Sequence, residues 1–391
     1  MPSGPADNDA RRAFVVVIDA LGAGPEPDAA EYGDAGAHTL RHVADAVGGL
    51  ELPSLQRLGL GNLGPVRGLP RSADPALHGV LHHLGPGKDS TSGHWELMGV
   101  VTPEPLPTYP DGLSPELMAR LEAATGCRLC GGEVLDGLAA IERHGEHHLR
   151  TGELIAYTSV DSVVQFAAHR DLVDQEDLEE ACAAARIELR GPDAVGRVIA
   201  RPFRGRPGAF ERTAGRRDFS LQPPSRSFLD ALHDAGIPVH AVGKVDDLFV
   251  GRGIDDAHAG ATNAAALDSI DRLLDGLEHG FVFANLIETD QVFGHRKDVE
   301  GFHGALREID AAVGGWVARM RAGDLLVITA DHGVDPAMEH TDHTRERVPL
   351  LARFAGDGGR RHDGPMADVG ASVLRWLGAP DEPALPGTAF T

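Results

Sequence analysis

DLLVITADHGVDPAMEHTDHTRERVPLL, residues 324–351, decides how the rest of the chain is read. Leu325, Leu326, Val327 and Ile328 form a short apolar run rich in strand formers and far too brief to cross a membrane. Asp331 and His332 follow directly, and Asp342, His343 and Arg345 come a few residues later. Carboxylate and imidazole donors crowded just past a strand's carboxyl end suit a catalytic metal site. Open α/β sheets bind ligands in the crevice outside those ends. Asp and His are also ordinary turn residues, so the stretch has to be weighed against the rest of the chain.

Two other apolar runs repeat the arrangement. FVVVI at 14–18 reads as a buried strand that ends on Asp19, before a glycine-rich turn (Leu21 to Pro25) that lets backbone pass close to whatever Asp19 holds. GFVFANL at 280–286 reads as a third strand, leading into Glu288, Asp290, His295, Arg296 and Asp298. Taken singly, Asp19 reads more readily as a helix cap or turn residue. Taken together, Asp19, Asp290, Asp331, His295, His332 and His343 supply oxygen and nitrogen donors from separate parts of the chain. Two metal ions about 3.5–4 Å apart use such a set to activate a nucleophile and neutralise a phosphoryl group in transfer. The mixed ligation suits Mn²⁺ or Zn²⁺ without deciding between them.

GPGKDSTSGHWE at 85–96 places Ser90, Thr91 and Ser92 beside Lys88, Asp89 and His94. It reads equally as a nucleophile loop, whose hydroxyl needs a base or metal to activate it, or as the N-cap of a helix starting near Trp95. Because Lys88 precedes the hydroxyls, it is not a P-loop.

The surrounding chain has 391 residues, enough for two or three domains of roughly 150 residues each. A net charge of −23 argues against nucleic acid and anionic membrane surfaces as partners, and a phosphorylated substrate would need a local basic site. The start, MPSGPADNDARR, lacks an apolar core for a secretory signal, and three cysteines do not make a disulfide framework. The expectation is a soluble cytoplasmic protein with residues 1–11 as a disordered tail.

Prolines 103, 105, 107 and 110, and the pair Pro223-Pro224, mark two linkers. They predict a core of residues 12–104 and 222–391, interrupted by a smaller domain at 105–221. Helices are expected over 38–48, 114–124, 262–277, 301–320 and 367–377. Residues 153–165, ELIAYTSVDSVVQ, read as one strand. The Cys127/Cys130 pair with His144, His147 and His148 is read as a helix end with incidental cysteines rather than a zinc or redox site, since no second pair is present. Residues 190–217 turn basic, with Arg190, Arg197, Arg201, Arg204, Arg206, Arg212, Arg216 and Arg217. Guanidinium forks grip phosphate, so two or three of these are expected to touch a ligand.

These stretches resemble the phosphopentomutase family of the alkaline-phosphatase superfamily. The matches are IDALGAGPEPDA, GDAGAHTL, GKDSTSGHWELMG, YTSVDSVVQFAAH, VGRVIARPF, NLIETDQVFGHRKDV and TADHGVDPAMEHTDHTRERVPLL, in family order over nearly the whole chain. The resemblance implies an α/β fold: an alkaline-phosphatase-like core with a mostly parallel sheet flanked by helices, plus an inserted α/β cap. It implies an isomerase of the intramolecular phosphotransferase class that interconverts (deoxy)ribose 1- and 5-phosphates. Asp19, Asp331 and His332 would hold one Mn²⁺ and Asp290, His295 and His343 another. Ser90 would carry the phosphoryl group, a 1,5-bisphosphate would be the intermediate, and a sugar bisphosphate such as glucose 1,6-bisphosphate the activator. Ser159, Asp161, Val163, Arg197, Arg212 and Lys244 fall on the family's substrate contacts. No nucleic acid, membrane or protein partner is implied. The sequence departs from the family at Ser90, where threonine is usual, and at Glu288, where aspartate is usual and a change around the neighbouring metal is expected.

Overall fold

The three all-apolar runs become the middle of one sheet. The computed structural model describes residues 11–159 and 161–391. Strands β1 (Arg12–Ile18) and β2 (Leu77–His82) come first, followed by β3 (Leu129–Val134), β4 (Leu154–Thr158) and β5 (Val163–His169). Next are β6 (Arg197–Arg206), β7 (Ala209–Arg212), β8 (Arg217–Ser220), β9 (Val239–Val242) and β10 (Asp256–His258). β11 (Gly280–Leu286), β12 (Asp324–Thr329), β13 (Val348–Arg353) and β14 (Gly364–Pro365) complete the set. The described chain divides into two compact units, Met1–Glu104 with Pro223–Thr391, and Pro105–Gln222. Among the described residues, no helix is long and apolar enough to cross a membrane.

The larger unit holds the sheet β10-β9-β11-β1-β12-β13-β2-β14. From β10 to β12 the strands are parallel, and β13 runs antiparallel to both β12 and β2. Every residue of β1, β11 and β12 is buried, as expected of parallel strands covered on both faces. Helices Asn263–Gly276, Val299–Arg319 and Asp368–Trp376 belong to this unit, each with buried apolar positions. At the amino end of β1 a fully buried ion pair fixes the register: Arg12 donates through Nε and Nη2 to Asp324 at 2.7 and 2.6 Å. Val17 pairs with Thr329 and Ile18 with Leu286, so Asp19 and Asp331 leave the sheet level with each other. Arg11, assigned to the tail from composition, is folded: its Nη1 donates to Trp376 O at 2.9 Å. The rest of that tail lies outside the described residues.

The smaller unit is a mixed sheet, β3-β4-β5-β6-β7, with β8 on β6. The single strand expected over 153–165 is instead an antiparallel hairpin of β4 and β5. Thr158 Oγ1 donates to Val163 O at 2.7 Å and closes it, so the polar residues in mid-run are a turn. Helices Pro115–Thr125, Gly137–Thr151 and Gln175–Glu188 pack on this sheet, the first capped by the Ser114 hydroxyl.

Candidate metal centre

Asp19, Asp331 and His332 follow β1 and β12 and are fully buried. The chain turns at Ala20 through a left-handed conformation, φ 62°, which aims its N–H at Asp331 Oδ1 at 3.1 Å. Asp290 sits in a single π-helical turn, Thr289–Phe293, and His295 in the 3₁₀ turn directly after it. His343 comes from the loop before β13. Its ring centroid lies 4.0 Å from that of His332 and 4.8 Å from that of His295.

Two groups of donor atoms emerge, each within 4.8 Å: Asp19 with Asp331 and His332, and Asp290 with His332 and His343. His332 thus stands between the groups, whereas the family resemblance places it in the first alone. His295 flanks the second group, its Nε2 3.4 Å from Asp290 Oδ1. Among the described residues, Asp19 Oδ1, Asp290 Oδ1 and Asp331 Oδ2 are buried and accept no hydrogen bond. Orphaned carboxylate oxygens in a dry site cost free energy unless a cation meets them, so the donors fit a divalent metal. Asp342 is not among these donors. It accepts the His343 N–H at 2.8 Å and lies 3.6 Å from Lys88 Nζ.

The electrostatics follow from burial. Desolvation, then the Asp331 charge, pushes the Asp19 carboxyl well above the usual range against the pull of Lys244. Burial opposes the Asp331 charge too, but His332, His94 and Lys244 outweigh it and hold that carboxyl low. Burial likewise disfavours the Asp290 charge, and His343 and His295 beside it hold it well below the ordinary value. The His332 ring is pushed down to about 4, chiefly by burial, which leaves it a neutral donor near pH 7. Its Nδ1 faces Gly333 O at 3.1 Å, which leaves Nε2 to accept.

Ser90 begins the helix Ser90–Leu97. Asp89 caps that helix, accepting the Thr91 and Ser92 N–H groups at 2.9 and 3.1 Å. The Ser92 hydroxyl returns to Asp89 Oδ2 at 2.8 Å, and Thr91 is buried, so Ser90 is the hydroxyl that faces the centre. Its Oγ lies 3.1 Å from His332 Nε2 and accepts from Lys244 Nζ at 2.8 Å. Lys244 Nζ also lies 2.5 Å from Asp19 Oδ2. The helix comes this close because residue 93 is glycine: a Cβ there would sit 2.3 Å from Asp331 O.

Several supporting residues take roles here that the sequence did not assign to them. The His94 ring lies 3.1 Å from Asp331 Oδ2 and 3.1 Å from Asn285 Nδ2, which donates to Asp19 Oδ2 at 3.2 Å. His83 Nε2 meets Asp331 O at 3.1 Å. Glu346 accepts from Gly24 N, Thr39 N, Thr39 Oγ1 and Thr344 Oγ1, tying the loop after β1 to the one before β13. The one sequence signal was weak: each is a polar residue inside an otherwise apolar or loop motif. Glu288, two residues before Asp290, accepts the Asn263 N–H at 2.8 Å, in the first turn of the helix Asn263–Gly276, whose N-cap is Thr262.

In the smaller unit, Ser159 and Asp161 lie in the β4–β5 turn, and Val163 opens β5 in register with Arg197. Arg197 Nη2 is 3.8 Å from Asp161 Oδ2. Arg212 ends β7, and its guanidinium lies against Gly137, close to the Tyr157 hydroxyl. Of the other arginines, Arg204, Arg216 and Arg217 pair with Glu211, Asp218 and Glu179.

A sequence model of the metalloenzyme superfamily matches residues 11–381. The chain is 45% identical over 386 residues to the phosphopentomutase of Anaeromyxobacter sp. (strain K), covering 97% of this chain and 98% of that one. To the phosphopentomutase of Desulfitobacterium hafniense (strain DCB-2) it is 42% identical over 384 residues, with 97% and 98% covered. The chain belongs to the phosphopentomutase family. As a phosphopentomutase it is an isomerase of the intramolecular phosphotransferase class. The metalloenzyme match and the two donor groups together make it a divalent-metal protein. Among solved structures, a phosphoglycerate mutase of Leishmania mexicana superposes with a TM-score of 0.52 at 14% identity, with 97% of each chain covered. At that identity the likeness concerns the fold alone.

Proposed function

We propose that this phosphopentomutase interconverts ribose or deoxyribose 1-phosphate with the 5-phosphate, through a phosphorylated Ser90 and a 1,5-bisphosphate. The observation that carries the reading is the placement of Ser90 Oγ between Lys244 Nζ and His332 Nε2, at the edge of the buried carboxylates. Asp19, Asp331 and His332 hold one Mn²⁺, and Asp290, His295 and His343 hold the second. When bound, the pair supplies charge to neutralise the phosphoryl group in flight.

Lys244 keeps its proton, because burial is outweighed by Asp19, Asp331 and Asp290, and it donates to the Ser90 oxygen. That ammonium stabilises the Ser90 oxygen both when it leaves phosphorus and when it attacks phosphorus again. In the forward half, the Ser90 O–P bond breaks as the free hydroxyl of the sugar phosphate gains the phosphoryl group, and the proton which that hydroxyl loses is restored to the Ser90 oxygen. The bisphosphate then presents its other end, and Ser90 takes that phosphoryl group back. Ser159, Asp161, Val163, Arg197 and Arg212 form the sugar phosphate's docking surface on the cap. The chain works on free cytoplasmic pentose phosphates, and a sugar bisphosphate such as glucose 1,6-bisphosphate recharges Ser90.

A coupled assay tests this: ribose 5-phosphate formed from ribose 1-phosphate with Mn²⁺ and catalytic sugar bisphosphate, with free phosphate monitored in parallel. Isomerisation without phosphate release is the expected result. Release without isomerisation would replace the mutase with a phosphomonoesterase, in which water reaches Ser90.

A further inference from the structure

All three cysteines of the chain lie in the smaller unit, at 127, 130 and 182. Cys182 is buried in that unit's apolar cluster. Cys130 is different. It sits on β3, and its sulfur converges with a ring nitrogen of His147, near the end of helix Gly137–Thr151, and a carboxylate oxygen of Glu153, just before β4. The three donor atoms lie within 4.8 Å of one another, and all three residues are half-buried, within reach of ions from solvent. We propose that Cys130, His147 and Glu153 form a cation site built wholly from this unit, taking a thiophilic divalent ion of the zinc class.

The donor set argues for that class. A thiolate with an imidazole and one carboxylate prefers zinc, cobalt or cadmium over manganese, magnesium or calcium. Zinc bond lengths of about 2.0–2.3 Å place tetrahedral ligand atoms roughly 3.3–3.8 Å apart. His147 Nε2 and Glu153 Oε2, now 2.7 Å apart, would open by at least about 0.6 Å, and the fourth position stays with water. Burial, then the Glu153 and Glu133 carboxylates, pushes the Cys130 thiol up to about 11, so the sulfur carries its proton until an ion displaces it to solvent. Arg150 Nη2, 3.2 Å from His147 Nδ1, is exposed and can swing away as Nδ1 takes the ring proton. The neighbouring histidines are otherwise engaged. His148 bridges Glu153 O at 2.7 Å and His169 N at 2.9 Å, and His144 pairs with Glu133. A bound ion would staple β3 to the helix end and to the start of β4.

The test is a cobalt(II) titration of the full chain, loaded first with Mn²⁺, watching for thiolate-to-cobalt charge-transfer absorption in the near ultraviolet. The Asp/His centre contains no sulfur and cannot give this band. The expected result is a band that saturates at one equivalent, is displaced by zinc and releases a proton. Cys130→Ser should abolish it, His147→Ala should weaken the apparent affinity at least tenfold, and Cys127→Ser and Cys182→Ser should keep it. Retained mutase turnover in the Cys130 and His147 variants shows that they fold. No band in the wild type, a band that survives Cys130→Ser, or an affinity unchanged in His147→Ala would each overturn the proposal.

Discussion

The two halves of the metal centre stand in unequal frames. Asp19, Asp331 and His332 leave neighbouring parallel strands, are fully buried, and are held by backbone: Ala20 N on Asp331 Oδ1, His83 on Asp331 O, and Gly333 O on His332. Asp290 and His295 occupy irregular turns, and the His295 side chain is 31% exposed. Its Nδ1 meets Thr341 O at 2.7 Å, and the turn is tied down through Lys297 Nζ to Met338 O and Glu339 O. Stiffness is therefore concentrated where Ser90 is aligned, and adjustability on the opposite side.

Ser90→Ala should have the largest effect, lowering turnover by ~10⁴-fold or more, with metal content by elemental analysis unchanged. Loss of metal in that variant would make Ser90 part of the stiff frame rather than its cargo. The next pair tests the contrast itself. Asp331→Asn should fail to retain an ion through dialysis, whereas His295→Ala should still bind the second ion, with a weakened affinity that titration can measure. Equal losses in a calorimetric titration would erase the distinction.

Lys244→Met should lower kcat by about 10²-fold and leave both ions in place. If KM alone rises, Lys244 only positions substrate. The smallest effect is expected at Glu346, which couples the two loops. Glu346→Gln offers one acceptor where four donors converge, and should destabilise the fold by about 1–3 kcal/mol in denaturant titrations. Burial lifts this carboxyl to about 7 despite those donors. The folded chain holds the proton more tightly than the unfolded one, so the contribution is complete below pH about 4.5 and is lost as pH rises through about 7. The stability gap between wild type and Glu346→Gln should narrow over that interval.

The strands beneath both halves were legible because β1, β11 and β12 are buried on both faces and read as largely apolar runs. Their donors were legible because they come directly after those runs. The surroundings of those donors were not. Asn285 and His94 acquire their roles only from the pairing of β1 with β11 and the approach of one helix at Gly93, contacts that local pattern does not encode. The contact of Glu288 with the Asn263 N–H is of the same kind, set by where two elements meet. The β4–β5 hairpin was hidden by its length, since its apolar residues continue at strand spacing on both sides of a short polar turn.

The order of strands in the larger sheet bears on how the protein is made. β1 is synthesised first, yet its two neighbours, β11 and β12, emerge only after the whole smaller unit and both β9 and β10. Until then Asp19 lacks the register that sets it beside Asp331, and β1 is an unpaired strand, apolar from Ala13 to Ile18. Such long-range pairing is slow and exposes edges that aggregate. A chain that stalls before His343 therefore carries an incomplete donor set, and the centre is completed only once the stretch with Asp331 and His343, late in the sequence, has been translated.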